Sequence, residues 1–234
     1  MQQIWAIIFL GFIILSPTAM AEQTASSASV PDTMEARVQA CVICHGENGR
    51  GIENVYFPHL AGKPAGYLYH QLVAFRDGRR RYNPMNYLLA YLPDEYLQKM
   101  AEYYASQEFK PTHTPSTASA QVLKQGQKIV TQGIPSKQIP ACTACHGPGL
   151  TGREPGIPSL LGLRADYISA QLGAWRYGTR TAIAPDCMQL VASRLSEQEV
   201  SAVAAWLASQ EVPDTVRPLK ADHTRLPLEC GSQK

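Results

Sequence analysis

One five-residue pattern occurs twice and constrains most of what this chain can become. Cys41, Val42, Ile43, Cys44 and His45 form the first copy; Cys142, Thr143, Ala144, Cys145 and His146 form the second. Each reads C-x-x-C-H, the pattern for covalent attachment of a c-type haem. Two thiols about one helical turn apart can each add to a vinyl group of the same porphyrin, and the histidine that follows presents its imidazole to the iron. A single structural zinc is the competing use of four such cysteines. The two pairs lie far apart in the chain, however, and each brings its own histidine. A thioredoxin-like C-x-x-C wants a βαβ context, and no convincing run of alternating strand is present. The expectation is two covalently bound haem c groups.

The chain has 234 residues and a net charge of only +2. That length suits two small domains, and the charge gives no case for nucleic-acid binding. The apolar run from Ile4 to Leu15, broken by Ser16 and Pro17 and followed by Ala19, Met20 and Ala21, reads as a secretory signal peptide over residues 1–21. Its start carries no Lys or Arg, so an uncleaved anchor is the alternative, although the run is shorter than the roughly 20 residues that span a bilayer. Residues 22–32 are rich in Ser, Ala and Thr and read as a flexible leader. Export fits covalent haem attachment, so the expected location is the periplasm.

The two halves superimpose in sequence. Pro58, Leu60, Gly62, Tyr67, Gln71, Leu72, Ala74, Arg76 and Gly78 match Pro158, Leu160, Gly162, Tyr167, Gln171, Leu172, Ala174, Arg176 and Gly178, and Phe75 matches Trp175. Ala105 to Glu108 later match Ala208 to Glu211. Such a repeat means a duplicated domain. Residues 33–110 are expected to form the first domain, 111–120 a linker, 121–211 the second domain and 212–234 a C-terminal tail without counterpart. Within each copy the pattern predicts a helix into the haem motif, a middle helix (about 65–76 and 165–176) and a last helix (about 94–107 and 196–210). The pair Ser196 and Glu199 marks the last start as a capping box. The short linker implies that the domains touch.

What fills the sixth position of each iron decides function, because a Met there gives a closed, high-potential haem. Met188 is the sole Met after the second haem motif; Met85 stands at nearly the same distance beyond His45, in a Pro-containing loop. Met100 falls inside the last helix and reads as core. His59, His70, His113 and His223 are not repeated and read as ordinary surface or packing residues. The carbonyls of Pro58 and Pro158 can accept the second proton of the proximal imidazole. Arg76 and Arg176 pair either with haem propionates or with solvent, and Arg79, Arg80 and Arg81 read as a solvated face. Tyr67, Tyr167, Phe75 and Trp175 read as core around the porphyrin. Cys187 and Cys230 remain; in an oxidising compartment they suggest a disulfide, with haem ligation by Cys187 the other possibility.

Taken with Gln125, Gly126, Lys128 and the stretch Pro140 to Gly147, these positions make the chain resemble the dihaem cytochrome c4 family. The resemblance implies an all-α protein of two tandem class I cytochrome c domains, with His45/Met85 and His146/Met188 as axial pairs. It also implies a non-enzymatic carrier that passes single electrons from a quinol-oxidising complex to a terminal oxidase or periplasmic reductase. The alternative is an electron-transfer subunit of a periplasmic dehydrogenase, in which case any membrane association would be through the partner. An exchangeable sixth position on one iron would instead mean an enzyme such as a dihaem peroxidase.

Overall fold

The computed structural model describes residues 31–53, 55–109, 117–222 and 224–233. The expected signal peptide, nearly all of the leader, most of the linker including His113, and His223 lie outside the described residues. Among those described, the protein is helical, and β-structure is confined to isolated bridges.

The first half contains α1 (Met34–Arg37), α2 (Gln39–His45), α3 (Ala65–Arg76), α4 (Asn83–Leu89) and α5 (Asp94–Ser106). The second contains α6 (Ala120–Gln132), α7 (Cys142–His146), α8 (Ala165–Arg176), α9 (Cys187–Arg194) and α10 (Glu197–Ala208). The middle helices fall where the repeat predicts them. Two expectations need correction. The helix leading into the first haem motif is interrupted at Val38, which closes α1 and opens α2 while its side chain, 3% exposed, enters the core. The two Met-bearing segments are also short helices rather than loops. Pro84 sits in the first turn of α4, where a missing N–H costs nothing, and Asp186 caps α9 by accepting from the Gln189 amide.

Each half builds its own core. In the first, Leu97, Met100, Ala101 and Tyr104 on α5 pack against Leu68, Leu72 and Phe75 on α3. Met100 is 5% exposed, in keeping with its reading as core. In the second, Val200, Val203, Ala204 and Leu207 on α10 pack against Ile129 and Val130 on α6 and against Ile168 and Leu172 on α8. The capping box at Ser196 is formed: its hydroxyl accepts from the Glu199 amide, and the Glu199 carboxylate accepts from the Ser196 amide. Gly126 makes the α6–α10 crossing possible. A Cβ there would come within 2.1 Å of the Ala202 carbonyl oxygen, so only glycine permits this approach.

The halves meet as the short linker implies. The Thr181 amide donates to the Arg79 carbonyl at 2.7 Å, within an antiparallel bridge that pairs Arg80 with Arg180, and the Tyr67 amide donates to the Pro155 carbonyl at 3.1 Å. The C-terminal tail folds back. Val216 is buried with Ala61 and Phe109 of the first half, and Leu219 bridges to Arg153 in the loop after the second haem motif.

Candidate functional site

Both C-x-x-C-H segments end a short helix, so the paired cysteines lie one turn apart and the histidine leads into the next loop. His45 and His146 are each 7% exposed. The Nδ1 of His45 donates to the Pro58 carbonyl at 2.8 Å, and that of His146 donates to the Pro158 carbonyl at 2.8 Å. A carbonyl can only accept, so Nδ1 carries the proton and Nε2 keeps its lone pair free for a metal. Burial pushes both imidazoles below their ordinary pKa, against the opposing pull of the proline carbonyls. Neutral imidazole is the form that ligates.

Cys41, Cys44, Cys142 and Cys145 take part in no disulfide. Burial, then Cys145, pushes Cys142 up to about 12, and burial raises Cys41 and Cys145. Met85 packs on the same core as Cys41, and Met188 on the same core as Cys142. In the second half a cavity is walled by Cys142, Cys145, His146, Met188, Leu172 and Trp175. In the second half the sequence-chosen residues therefore line one apolar space, while in the first Cys41 and Met85 share a core.

That space has a polar edge, and the sequence reading missed what lies there. Arg80 and Arg180 are 8% and 3% exposed at the junction of the halves, so Arg80 is not part of a solvated face. Their hydrogen bonds cross. Arg80 donates to Gln71 Oε1 at 3.0 Å, to Gln171 Oε1 at 2.7 Å and to the Tyr167 hydroxyl at 2.9 Å. Arg180 donates to Gln171 Oε1 at 2.9 Å, to Gln71 Oε1 at 2.7 Å and to the Tyr67 hydroxyl at 3.4 Å. The result is a pseudo-twofold cluster in which each arginine bonds both glutamines and the other half's tyrosine. The repeat carries the signal that would have found it: Arg80 and Arg180 keep the same register as Tyr67/Tyr167 and Gln71/Gln171.

Lys63 adds a third buried cation. Its Nζ lies 3.1 Å from His59 Nε2, His59 stacks on Phe109 at 3.6 Å between centroids, and Lys63 also lines the second-half cavity. Burial brings Lys63 down to about 8 and holds His59 well below 6.5, so the lysine donates and the histidine accepts. Burial raises Tyr67, but Arg180, Arg80 and Lys63 outweigh it and hold the phenol down. Among the described residues no carboxylate forms an ion pair with Lys63, Arg80 or Arg180. The Trp175 Nε1, under Arg180 in the cavity wall, is buried without a protein partner. An apolar slot with unpaired cations and an orphaned N–H at one edge fits a porphyrin, whose flat body is apolar and whose propionates are anionic.

Arg76 and Arg176 have protein partners. Each donates to the carbonyl just ahead of the last helix, Arg76 to Leu92 at 3.1 Å and Arg176 to Leu195 at 3.0 Å, and Arg76 also pairs with Asp94. They tie the middle helix to the last. Cys187 does not point to haem ligation: it is disulfide-bonded to Cys230.

Comparison with known proteins agrees with this geometry. The cytochrome c family model matches residues 123–211. A thiosulfate dehydrogenase electron acceptor from Thiomonas intermedia is 37% identical over 75% of this chain and 81% of its own length. A cytochrome c4 from Pseudomonas aeruginosa is 34% identical over 74% of this chain and 85% of its own. The solved structure of reduced cytochrome c4 from Pseudomonas stutzeri superimposes with a TM-score of 0.66 at 31% identity, covering 76% of this chain and 97% of that one.

Proposed function

This chain belongs to the dihaem cytochrome c4 family, and from that footing we propose that His45 with Met85 and His146 with Met188 close its two irons. It is a dihaem electron-transfer cytochrome. When bound, haem c supplies a one-electron ferric/ferrous couple at each site. The chain's own residues do the rest. The four cysteines anchor the porphyrins covalently. Pro58 and Pro158 lock each proximal imidazole in the ligating tautomer. Arg180 and Lys63, which line the second-half cavity, and Arg80, which shares Gln71 and Gln171 with Arg180, would supply buried positive charge to porphyrin carboxylates. Held by these histidines and methionines, neither iron would keep a position for substrate.

We read the mature protein as periplasmic, with an expected domain at 33–110, a second at 121–211 and the tail beyond. No helix among the described residues is long and apolar enough to cross a membrane. For the donor we favour a periplasmic dehydrogenase of the thiosulfate-oxidising kind, the reading supported by the 37% identity to the Thiomonas intermedia electron acceptor; a terminal oxidase or reductase would take the electrons onward.

The observation that carries the carrier reading is the second-half cavity walled by Cys142, Cys145, His146 and Met188, with Cys41 and Met85 sharing the first-half core. Spectroelectrochemical titration of the holoprotein should give two one-electron couples, and the reduced protein should not bind carbon monoxide. Carbon monoxide binding at either iron would point instead to an enzyme. Stopped-flow mixing with a thiosulfate-oxidising haem dehydrogenase and thiosulfate should reduce both haems; reduction by quinol-oxidising complex alone would favour the general respiratory carrier.

A further inference from the structure

The two methionine-bearing helices are held by different means. α4 is pinned by one amide: Asn86 accepts from the Tyr82 amide at 2.8 Å and donates to the carbonyls of Arg80, at 2.9 Å, and Phe75. α9 has its Asp186 cap, which accepts from Gln189 and Ala182, and a covalent clip as well. Cys187, the first residue of α9 and the neighbour of Met188, is bonded to Cys230.

Cys230 belongs to a segment that is seated along its path. The Leu219 amide donates to the Gly152 carbonyl and the Glu154 amide to the Leu219 carbonyl, at 2.9 and 2.8 Å, so the tail is tied to the loop behind the second haem motif. Arg153 donates to Asp222 at 2.6 Å. At the far end the Gly231 amide donates to the Pro185 carbonyl at 2.9 Å, and a Cβ on Gly231 would come within 2.3 Å of the Ala184 carbonyl oxygen. Leu228, Cys230 and Ser232 line the same cavity as Cys142, His146 and Met188. Nothing in the first half corresponds to this segment, and the sequence repeat ends before it begins.

We propose that residues 219–222 and 224–233 form a strap dedicated to the second iron site, in which the Cys187–Cys230 bond positions Met188 and the tail closes the rim of its cavity. The proposal rests on the reading of Met188 as an axial ligand. A short helix that depends on one side-chain cap frays readily at its first turn, and Met188 is the second residue of that turn. The disulfide removes this freedom by tying the turn to a segment that is itself hydrogen-bonded to the loop after His146. Cys187 and Cys230 are thus positioning residues: they act on the iron through Met188. Met85 has no such dependence.

The test uses the holoprotein with the Cys230→Ser substitution, and separately the wild-type holoprotein reduced at its disulfide by a phosphine, alkylated, and reoxidised with ferricyanide. The phosphine gives up two electrons and, with water, becomes its oxide, while the two sulfurs become thiols. The readout is the far-red charge-transfer band of ferric iron bound by thioether sulfur, together with carbon monoxide binding and the two potentials. The band should fall by half, one carbon monoxide should bind per chain, and one couple should move while the other stays. In a Met85→Ala background, where the second site alone carries the band, Cys230→Ser should abolish it. Full band intensity, no carbon monoxide binding and two unmoved couples, with the disulfide shown to be absent, would overturn the strap. Failure of the underlying ligand assignment would show earlier, as a missing band in the untreated wild type.

Discussion

The first half enters its haem motif through two short helices broken at Val38, whereas the second enters through the thirteen residues of α6, locked onto α10 at Gly126. The first pins its methionine helix with Asn86, the second with Asp186 and a disulfide to a tail that the first half lacks. Between these differences lie parts that hardly differ: the His–Pro hydrogen bonds, the Arg76 and Arg176 ties and the crossed Arg–Gln–Tyr cluster. What faces the porphyrin or the junction has kept its register. What merely supports those parts from outside has been free to diverge, because packing and clipping can be done in several ways while ligation geometry cannot.

The sharpest way to probe that contrast is to remove each thioether. Met85→Ala and Met188→Ala should each lower one couple by on the order of 200 mV, a quarter of the roughly 0.8 V that axial ligands command; potentiometric titration checks it. A variant that leaves both couples in place would break the equivalence of the two sites.

Next comes the junction. Arg80→Leu and Arg180→Leu should each cost about 3 kcal/mol in denaturant unfolding of the holoprotein, the scale for breaking a buried charged network. Each should also lower both potentials, since a buried cation favours the reduced iron. A marked difference between the two variants would show that the pseudo-twofold cluster is not energetically symmetric.

Gly126→Ala should destabilise the second half by about 2 kcal/mol through overpacking against Ala202, seen as earlier loss of the His146-site spectrum on heating while the His45 site holds. Asn86→Ala should cost about 1.5 kcal/mol, because it strands the part-buried Arg80 carbonyl, and here the first site should loosen. Smallest is the cap on the last helix. Ser196→Ala should cost about 1 kcal/mol, measured by thermal unfolding, whereas Pro93→Ala at the matching start of α5 should change stability by less than about 0.5 kcal/mol.

Much of this was legible in the chain alone. C-x-x-C-H fixed the cofactor because thioether spacing and the adjacent imidazole are local chemistry, and the repeat located α3 and α8 to the residue because duplicated sequence reports duplicated packing. The methionine segments were harder to read: Pro84 suggests a loop until one sees it in the first turn of a helix. Arg80 was misread because three consecutive arginines look solvated, and only the approach of a second half buries the middle one.

What the sequence determined by itself, then, is everything written in short-range spacing: the haem motifs, the helix starts and the duplication. The tertiary structure decided the rest. It brought two arginines, each half's own, into a shared buried cluster, and it carried a tail across both halves to fasten beside Met188. Burial and long-range pairing depend on which surfaces meet, and a linear pattern records a surface without recording its partner.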